Sequence, residues 1–186
     1  MLTLIILGVI ALALVYGVAV YNRLVRLRAL VREGFSGITV QLRRRADLVP
    51  NLVSTVQGYA SHERETLDAV TAQRTAANNA GGVAATAQAD AAMTAMLGRL
   101  LAVAEAYPDL KADANFRELQ TELSSLEGEL QSARRYYNAT ARDLNTRVVS
   151  FPDMFFAGPL GFKEEPYYED ADTSIQTAPK VEFQRP

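Results

Sequence analysis

Three groups of side chains have types and spacing that could do chemistry. His62-Glu63 opens like the zinc-protease helix motif, which sets two histidines four residues apart so that both imidazoles and a general-base Glu share one face. The second His would stand at position 66, where the chain has Thr66, and His62 is the sole histidine. Metal ligands come in sets, so His62 reads as part of a polar face or a bond to a neighbouring helix. Glu118, Glu122, Glu127 and Glu129 offer carboxylates. A di-iron site needs Glu-x-x-His pairs, which the chain lacks, so these acids read as a solvated, salt-bridged face. The chain has no Cys, which excludes disulfides, thiolate sites and a thiol nucleophile. It has no phosphate loop, nucleophile elbow or dinucleotide fingerprint. The expectation is no enzyme, no metal, no cofactor and no small-molecule substrate.

Arginine is the third group. From Asn22 to Arg45 there are seven arginines against one acid, Glu33. Arg23, Arg26, Arg28 and Arg32 follow directly on an uncharged apolar run and suit anionic lipid headgroups. Arg43-Arg44-Arg45 could hold phosphates, but a straight helix carries Arg44 roughly 35 Å beyond the hydrocarbon edge. They are expected to pair with acids further along the chain, such as Glu118, Glu122 and Glu127. With a net charge of −2 and no interleaving of basic and aromatic residues, nucleic acid is not expected.

The elements that must position these groups follow from hydrophobic period. Residues 1–21 read MLTLIILGVIALALVYGVAVY, with no charged side chain. About 20 helical residues span about 30 Å, the thickness of the hydrocarbon core. A cleaved signal peptide would need a basic start, a shorter apolar run and a small-x-small cleavage site; here no basic side chain precedes the run, the run is long, and Ala19-Val20-Tyr21 is a poor cleavage site. Tyr16 and Tyr21 suit an interface, and Ala13 with Gly17 forms a small-xxx-small pair. Arginines after the span and none before it predict a single-pass protein of the inner (cell) membrane, N-terminus outside and domain cytoplasmic.

Residues 22–150 read as a helical bundle. Leu24, Leu27, Val31, Phe35, Ile38 and Leu42 step by three or four. No turn signal separates them from the span, so the transmembrane helix is expected to run on to about Ala46. Asp47 and Pro50 are expected to kink or restart it, with Asp47 as a cap. A second helix should end near the Asn78–Gly82 turn signal. A third should cover about 84–106, with Met93 and Met96 as an adaptable surface. A fourth should run from near Asn115 to before Phe151-Pro152, with Leu119, Leu123, Leu126, Leu130, Tyr137 and Leu144 on one face. No stretch alternates with strand period. The fold class is therefore all-α: an N-terminal transmembrane helix continuing into an antiparallel bundle of long helices.

Residues 151–186 differ. FPDMFFAGPLGF, residues 151–162, folds back on the bundle, sits at the membrane interface or meets another subunit. Phe151, Phe155, Phe156 and Phe162 are candidate oligomer contacts. Residues 163–186, acidic and Pro-containing, read as a loosely held tail.

YNRLVRLRALV (21–31), VQLRRRADLVPNLVSTVQGYASHERETLDAV (40–70), EAYPDLKADANFRELQTEL (105–123), RRYYNATARDLNTRVVSFP (134–152) and the later GF (161–162) and PKVEF (179–183) resemble the bacterial LemA family. The resemblance covers nearly the whole chain. It departs at Gly34-Phe35, where the family leads one to expect an acidic residue and often Trp. It implies a membrane-anchored helical bundle, N-terminus outside, with no established catalytic activity. It also implies neighbourhood with membrane metalloproteases in some members and a magnetosome-linked relative. The expected function is a non-enzymatic scaffold or adaptor at the cytoplasmic membrane. It would act through helix–helix contacts as a homo-oligomer or, alternatively, regulate another membrane protein such as a metalloprotease.

Overall fold

The computed structural model describes residues 1–60 and 62–168. Its organising element is α1, Leu2–Tyr59, an unbroken helix of 58 residues that rises about 87 Å. Over residues 2–15 the helix is uncovered, and at Tyr16 and Gly17 it meets Phe156. From Val20 on, one stripe (Val20, Leu24, Val31, Ile38, Val49, Leu52, Val56) is buried. The stripe is buried by α2 (Arg64–Asn79), α3 (Gly82–Glu105), the single turn α4 (Pro108–Ala112), α5 (Ala114–Val149) and the short α6 (Met154–Ala157). The all-α class and the long N-terminal apolar helix agree with the sequence reading, and among the described residues there is no strand.

The restart expected at Asp47 and Pro50 does not occur. Asp47 is exposed and lies within α1, and the break falls later, after Tyr59. Pro50 cannot donate to the carbonyl of residue 46, which should weaken the helix there. That carbonyl is used: Arg74 on α2 donates its Nε–H to the Ala46 oxygen at 2.9 Å. The side chain of a neighbouring helix replaces the lost backbone bond, so the helix passes through the proline. Gly82 opens α3 with φ +78, a left-handed conformation that favours glycine. The start of α5 is capped by Asp113, whose carboxylate accepts the Phe116 N–H at 3.0 Å. Tyr59, at the end of α1, donates to the same carboxylate at 3.0 Å, tying the two helix ends together.

The buried apolar residues form two clusters. The distal one joins Val49, Leu52 and Val56 of α1 to Leu67 and Val70 of α2, Met93, Leu97 and Leu100 of α3, Leu110 of α4, and Phe116. The proximal one, next to the uncovered part of α1, joins Val20 to Ile38 with Leu130, Tyr137, Ala141 and Leu144 of α5, then Ala157, Phe162 and Tyr168. Met93 is buried, so it is part of the core and not of an adaptable surface. At the crossing of α1 and α5, a Cβ on Gly34 would lie 3.0 Å from the Tyr137 Cα and 3.4 Å from Thr140 Oγ1. Glycine there lets the helices approach, which gives the departure at Gly34 a packing reason. Phe35 sits beside it with its ring 6.0 Å from that of Tyr137.

Candidate functional site

Two places concentrate polar chemistry or unpartnered surface: an ionic node between the core clusters, and the end of the bundle where α1 becomes uncovered.

The node is centred on Asp90 of α3, which is 2% exposed. Arg45 of α1 donates to Asp90 Oδ1 at 3.3 Å and to Thr94 Oγ1 at 3.0 Å. Arg134 of α5 pairs with Asp90 Oδ2. The Tyr168 hydroxyl donates to the same oxygen at 2.8 Å. Glu127 of α5 lies 3.3 Å from Arg45 and 3.5 Å from Arg134. Two guanidiniums, two carboxylates and a phenol thus meet, from three helices and the C-terminal segment. Burial drives the Tyr168 pKa far above its ordinary value, and the Asp90 charge adds to it. Burial pulls on the Arg134 charge in the opposite sense, but Asp90 and Glu127 outweigh it and hold the guanidinium protonated. The node can fix the register of three helices. A buried acid saturated by two arginines is poorly suited to abstract a proton.

Tyr168 arrives by an extended strap. Asn145 and Asn138, seven residues apart on α5, each grip the N–H and the carbonyl of one residue of it. Asn145 accepts the Glu165 N–H and donates to the Glu165 oxygen, both at 2.8 Å. Asn138 accepts the Tyr168 N–H at 2.8 Å and donates to its oxygen at 3.0 Å. Seven helical residues rise about 10.5 Å and three extended residues cover about 10 Å, so the two spacings match and the strap runs antiparallel to α5. Between the two clamps the Tyr137 hydroxyl donates to the Pro166 oxygen at 2.7 Å. Burial, with the Glu165 charge, pushes the Tyr137 phenol up to about 12. Residues 165–168 are therefore docked and are not part of a loose tail. The remainder of that expected tail lies outside the described residues. Beside the strap is an open groove of about 710 Å³ lined by Ala84, Ala87, Gln88, Asn145 and Tyr167, among others. Its lining brings together no acid–base or nucleophile set.

At the other place, Arg23, Arg26 and Arg32 are exposed around α1 where it leaves the bundle. Arg28 is half-buried, its guanidinium 4.6 Å from the centre of the Phe162 ring. Phe162 is buried within the chain, with Tyr21 edge-on at 6.0 Å, so it is not available to another subunit. Phe156 packs against Tyr16 and covers Gly17, so Gly17 already has an intramolecular partner. Phe151 and Phe155 remain exposed, edge-to-face with each other. Of the basic triplet, Arg44 meets Glu129 at 2.9 Å in an exposed pair and Arg45 enters the node, while Arg43 is exposed. Glu118 and Glu122 stay on the exposed face of α5. His62 is exposed in the turn before α2. Among the described residues no group of three or more His, Cys, Asp or Glu converges as metal ligands would.

Sequence reasoning missed Asp90, Arg134, Tyr168 and the two asparagines. A signal existed for the asparagines: Asn138 and Asn145 are amides one heptad apart, close to the apolar stripe of α5. Asp90 gave less, a lone acid in an alanine-rich helix start.

The sequence is similar to that of known proteins. Over 84% of its length the chain is 26% identical to magnetosome protein MamQ 2 of Paramagnetospirillum magneticum, covering 68% of that protein. It is 28% identical to protein LemA of Metamycoplasma hominis over 70% of this chain and 60% of that one. It is 32% identical to magnetosome protein MamQ of Magnetospirillum gryphiswaldense over 48% of this chain and 34% of that one. The uncovered apolar helix and these relatives mark a membrane-associated protein. Residues 34–183, most of the bundle and the segment after it, match the LemA family, and the chain belongs to that family.

Proposed function

We propose that the protein is a non-enzymatic scaffold or adaptor, anchored in the cytoplasmic (inner) membrane by residues 2–21 and acting through helix–helix contacts as a self-assembling unit. The observation that carries the reading is the continuity of α1. One helix supplies both the uncovered apolar stretch and the buried stripe of the bundle, so orientation and grouping in the membrane pass directly to the cytoplasmic part. Arg23, Arg26, Arg28 and Arg32 follow directly on the span, where the bundle begins, and positive-inside sorting keeps such an end in the cytoplasm. The surface supports placing self-association at the membrane end. Exposed large apolar side chains run along the span, residues 2–18 of α1, whereas on the bundle they are scattered, as at Val40 and Tyr136.

Size measurement of the detergent-extracted protein tests this. A monodisperse particle of several chains is expected. A monomer that gains mass only with another membrane protein would instead make it a regulator of that protein. Orientation is tested by a reporter active only outside the cytoplasm, fused after Pro186. Silence is expected, and activity would reverse the topology.

A further inference from the structure

We propose that the turn formed by residues 151–162 is a second membrane-inserted element, a wedge buried among lipid acyl chains beside the span. This rests on the reading of residues 2–21 as a membrane anchor. The first observation is where the turn sits. Phe156 lies over Gly17, so close that a Cβ there would be 3.1 Å from its Cε1. The turn therefore lies alongside residues 13–21 of α1, at the depth of the span and not below it. Between them runs an apolar groove of about 390 Å³, lined by Ala13, Leu14, Gly17, Phe155, Phe156 and Leu160, among others.

Exposure is the second. Phe151 is 79% exposed, Phe155 64%, Met154 47% and Leu160 43%, on one short turn. This surface continues into Leu14 and Val18 of α1, which are also exposed. An aromatic patch of this kind in water invites aggregation, but in a bilayer it is solvated.

Charge is the third. The only charged residue from 151 to 162 is Asp153, and it is turned inward, 4% exposed. It accepts the Tyr16 hydroxyl at 2.7 Å and faces Arg147 at 3.5 Å. The outer surface of the turn therefore carries no charge. Charge resumes at Lys163 on one side, and at Arg147 and Arg23 on the other. That is the pattern of an element whose tip is in hydrocarbon and whose base lies at the headgroups.

The backbone is the fourth. Irregular chain at membrane depth must satisfy its own polar groups. Seven N–H groups of the turn, those of residues 154–157 and 160–162, donate to carbonyls at residues 150–158 over 2.8–3.2 Å. Pro152 and Pro159 have none to satisfy.

The chain contains no Trp, so single-Trp variants report position directly. Phe155→Trp, Phe151→Trp and Ile10→Trp would be placed in the full-length protein in equimolar phosphatidylcholine–phosphatidylglycerol vesicles, with Tyr59→Trp as the distant reference. All four sites are exposed; the reference variant gives up the Tyr59 bond to Asp113, which lies at the far end of the bundle, away from the turn. The expected result is blue-shifted emission from Phe155→Trp that is lost with brominated acyl chains and preserved in aqueous iodide. Ile10→Trp should behave alike, and Tyr59→Trp should do the reverse. Quenching of Phe155→Trp and Phe151→Trp by iodide, with Ile10→Trp still quenched by lipid, would overturn the wedge and leave the anchor standing. Shielding of the wedge tryptophans from both quenchers would also overturn it, by showing a second protein surface in place of lipid. If Ile10→Trp is not quenched by lipid either, the anchor reading fails and the wedge falls with it.

Discussion

The two halves of the bundle solve the same problem by different means. The distal half has four long helices and the single turn α4 to enclose its core, so Val, Leu, Met, Ala and one Phe suffice, and non-directional burial holds them. The proximal half has mainly α1 and α5. Two helices cannot surround a core, and the gap is closed by the start of α3 and by the chain after Ser150, which is largely irregular. Irregular chain brings unpaired peptide groups with it. They are met one by one, by Asn138, Asn145 and Tyr137. The ionic node lies where one regime gives way to the other. A core closed by helices is specified by volume, and a core closed by a strap is specified by individual hydrogen bonds.

The node should be the most sensitive point, because both halves meet there. Asp90→Ala removes the buried carboxylate between Arg45 and Arg134, leaving them the more exposed Glu127, and removes the acceptor of Tyr168. Breaking a buried pair from one side costs about 3–5 kcal/mol. Thermal unfolding of the detergent-solubilised protein should show the largest drop in melting temperature of any single change considered for this chain. Asp90→Asn, which keeps an oxygen for Tyr168, should lose less. A drop no larger than that of a surface substitution would mean that the node does not couple the halves.

In the distal half, Leu100→Ala should cost about 2–5 kcal/mol through lost burial and the cavity left behind. Leu100→Met should cost less than about 1.5 kcal/mol, because volume is what matters there. The proximal half should not forgive in that way. Asn138→Asp keeps size and shape but loses the donor to Tyr168, and Asn138→Ala and Asn145→Ala remove a clamp outright. Each leaves at least one backbone polar group of the strap unsatisfied, for about 1–3 kcal/mol. Hydrogen exchange locates the effect: the amides of Glu165 and Tyr168 should lose protection while those of Leu97 and Leu100 keep theirs. Equal loss in both halves would erase the distinction between them.

The distal regime was more legible than the proximal one. Burial of a stripe repeats every three or four residues, so α1, α3 and α5 announce themselves over many positions; the ends of α3 and α5 fell within a few residues of the turn signals, while the end of α1 came 13 residues after the expected Ala46, at Tyr59. A strap hydrogen bond happens once, between residues 20 to 30 apart, and leaves no period to read. Pro50 shows the same limit from the other side. A helix break is the sound local expectation, and it fails because Arg74, 28 residues further on, takes the carbonyl that Pro50 cannot serve. The candidate site divides likewise. The arginine collar was visible as composition, whereas Asp90 became important only once two arginines and a tyrosine from elsewhere were folded onto it.

The smallest expected effect separates the halves by pH. Tyr137→Phe keeps the ring and removes only the hydroxyl that donates to Pro166, a loss of about 1 kcal/mol at neutral pH. Its consequence in alkali is more telling. Burial pushes the Tyr137 phenol up to about 12, against about 10 in an unfolded chain, so the fold favours the neutral, donating form. That contribution is complete below the unfolded value and is lost as pH rises towards the folded one. Tyr168 is shifted in the same direction, for the same first reason. Both residues close the proximal half, so the melting temperature of the wild type should fall as pH climbs through the tyrosine range. Tyr137→Phe should begin lower and fall less steeply, keeping only the part due to Tyr168. Leu100→Met should shift the curve without changing its slope. If Tyr137→Phe and wild type lost stability in parallel, the hydroxyl would not be what the strap depends on, and the proximal core would be held by volume after all, like the distal one.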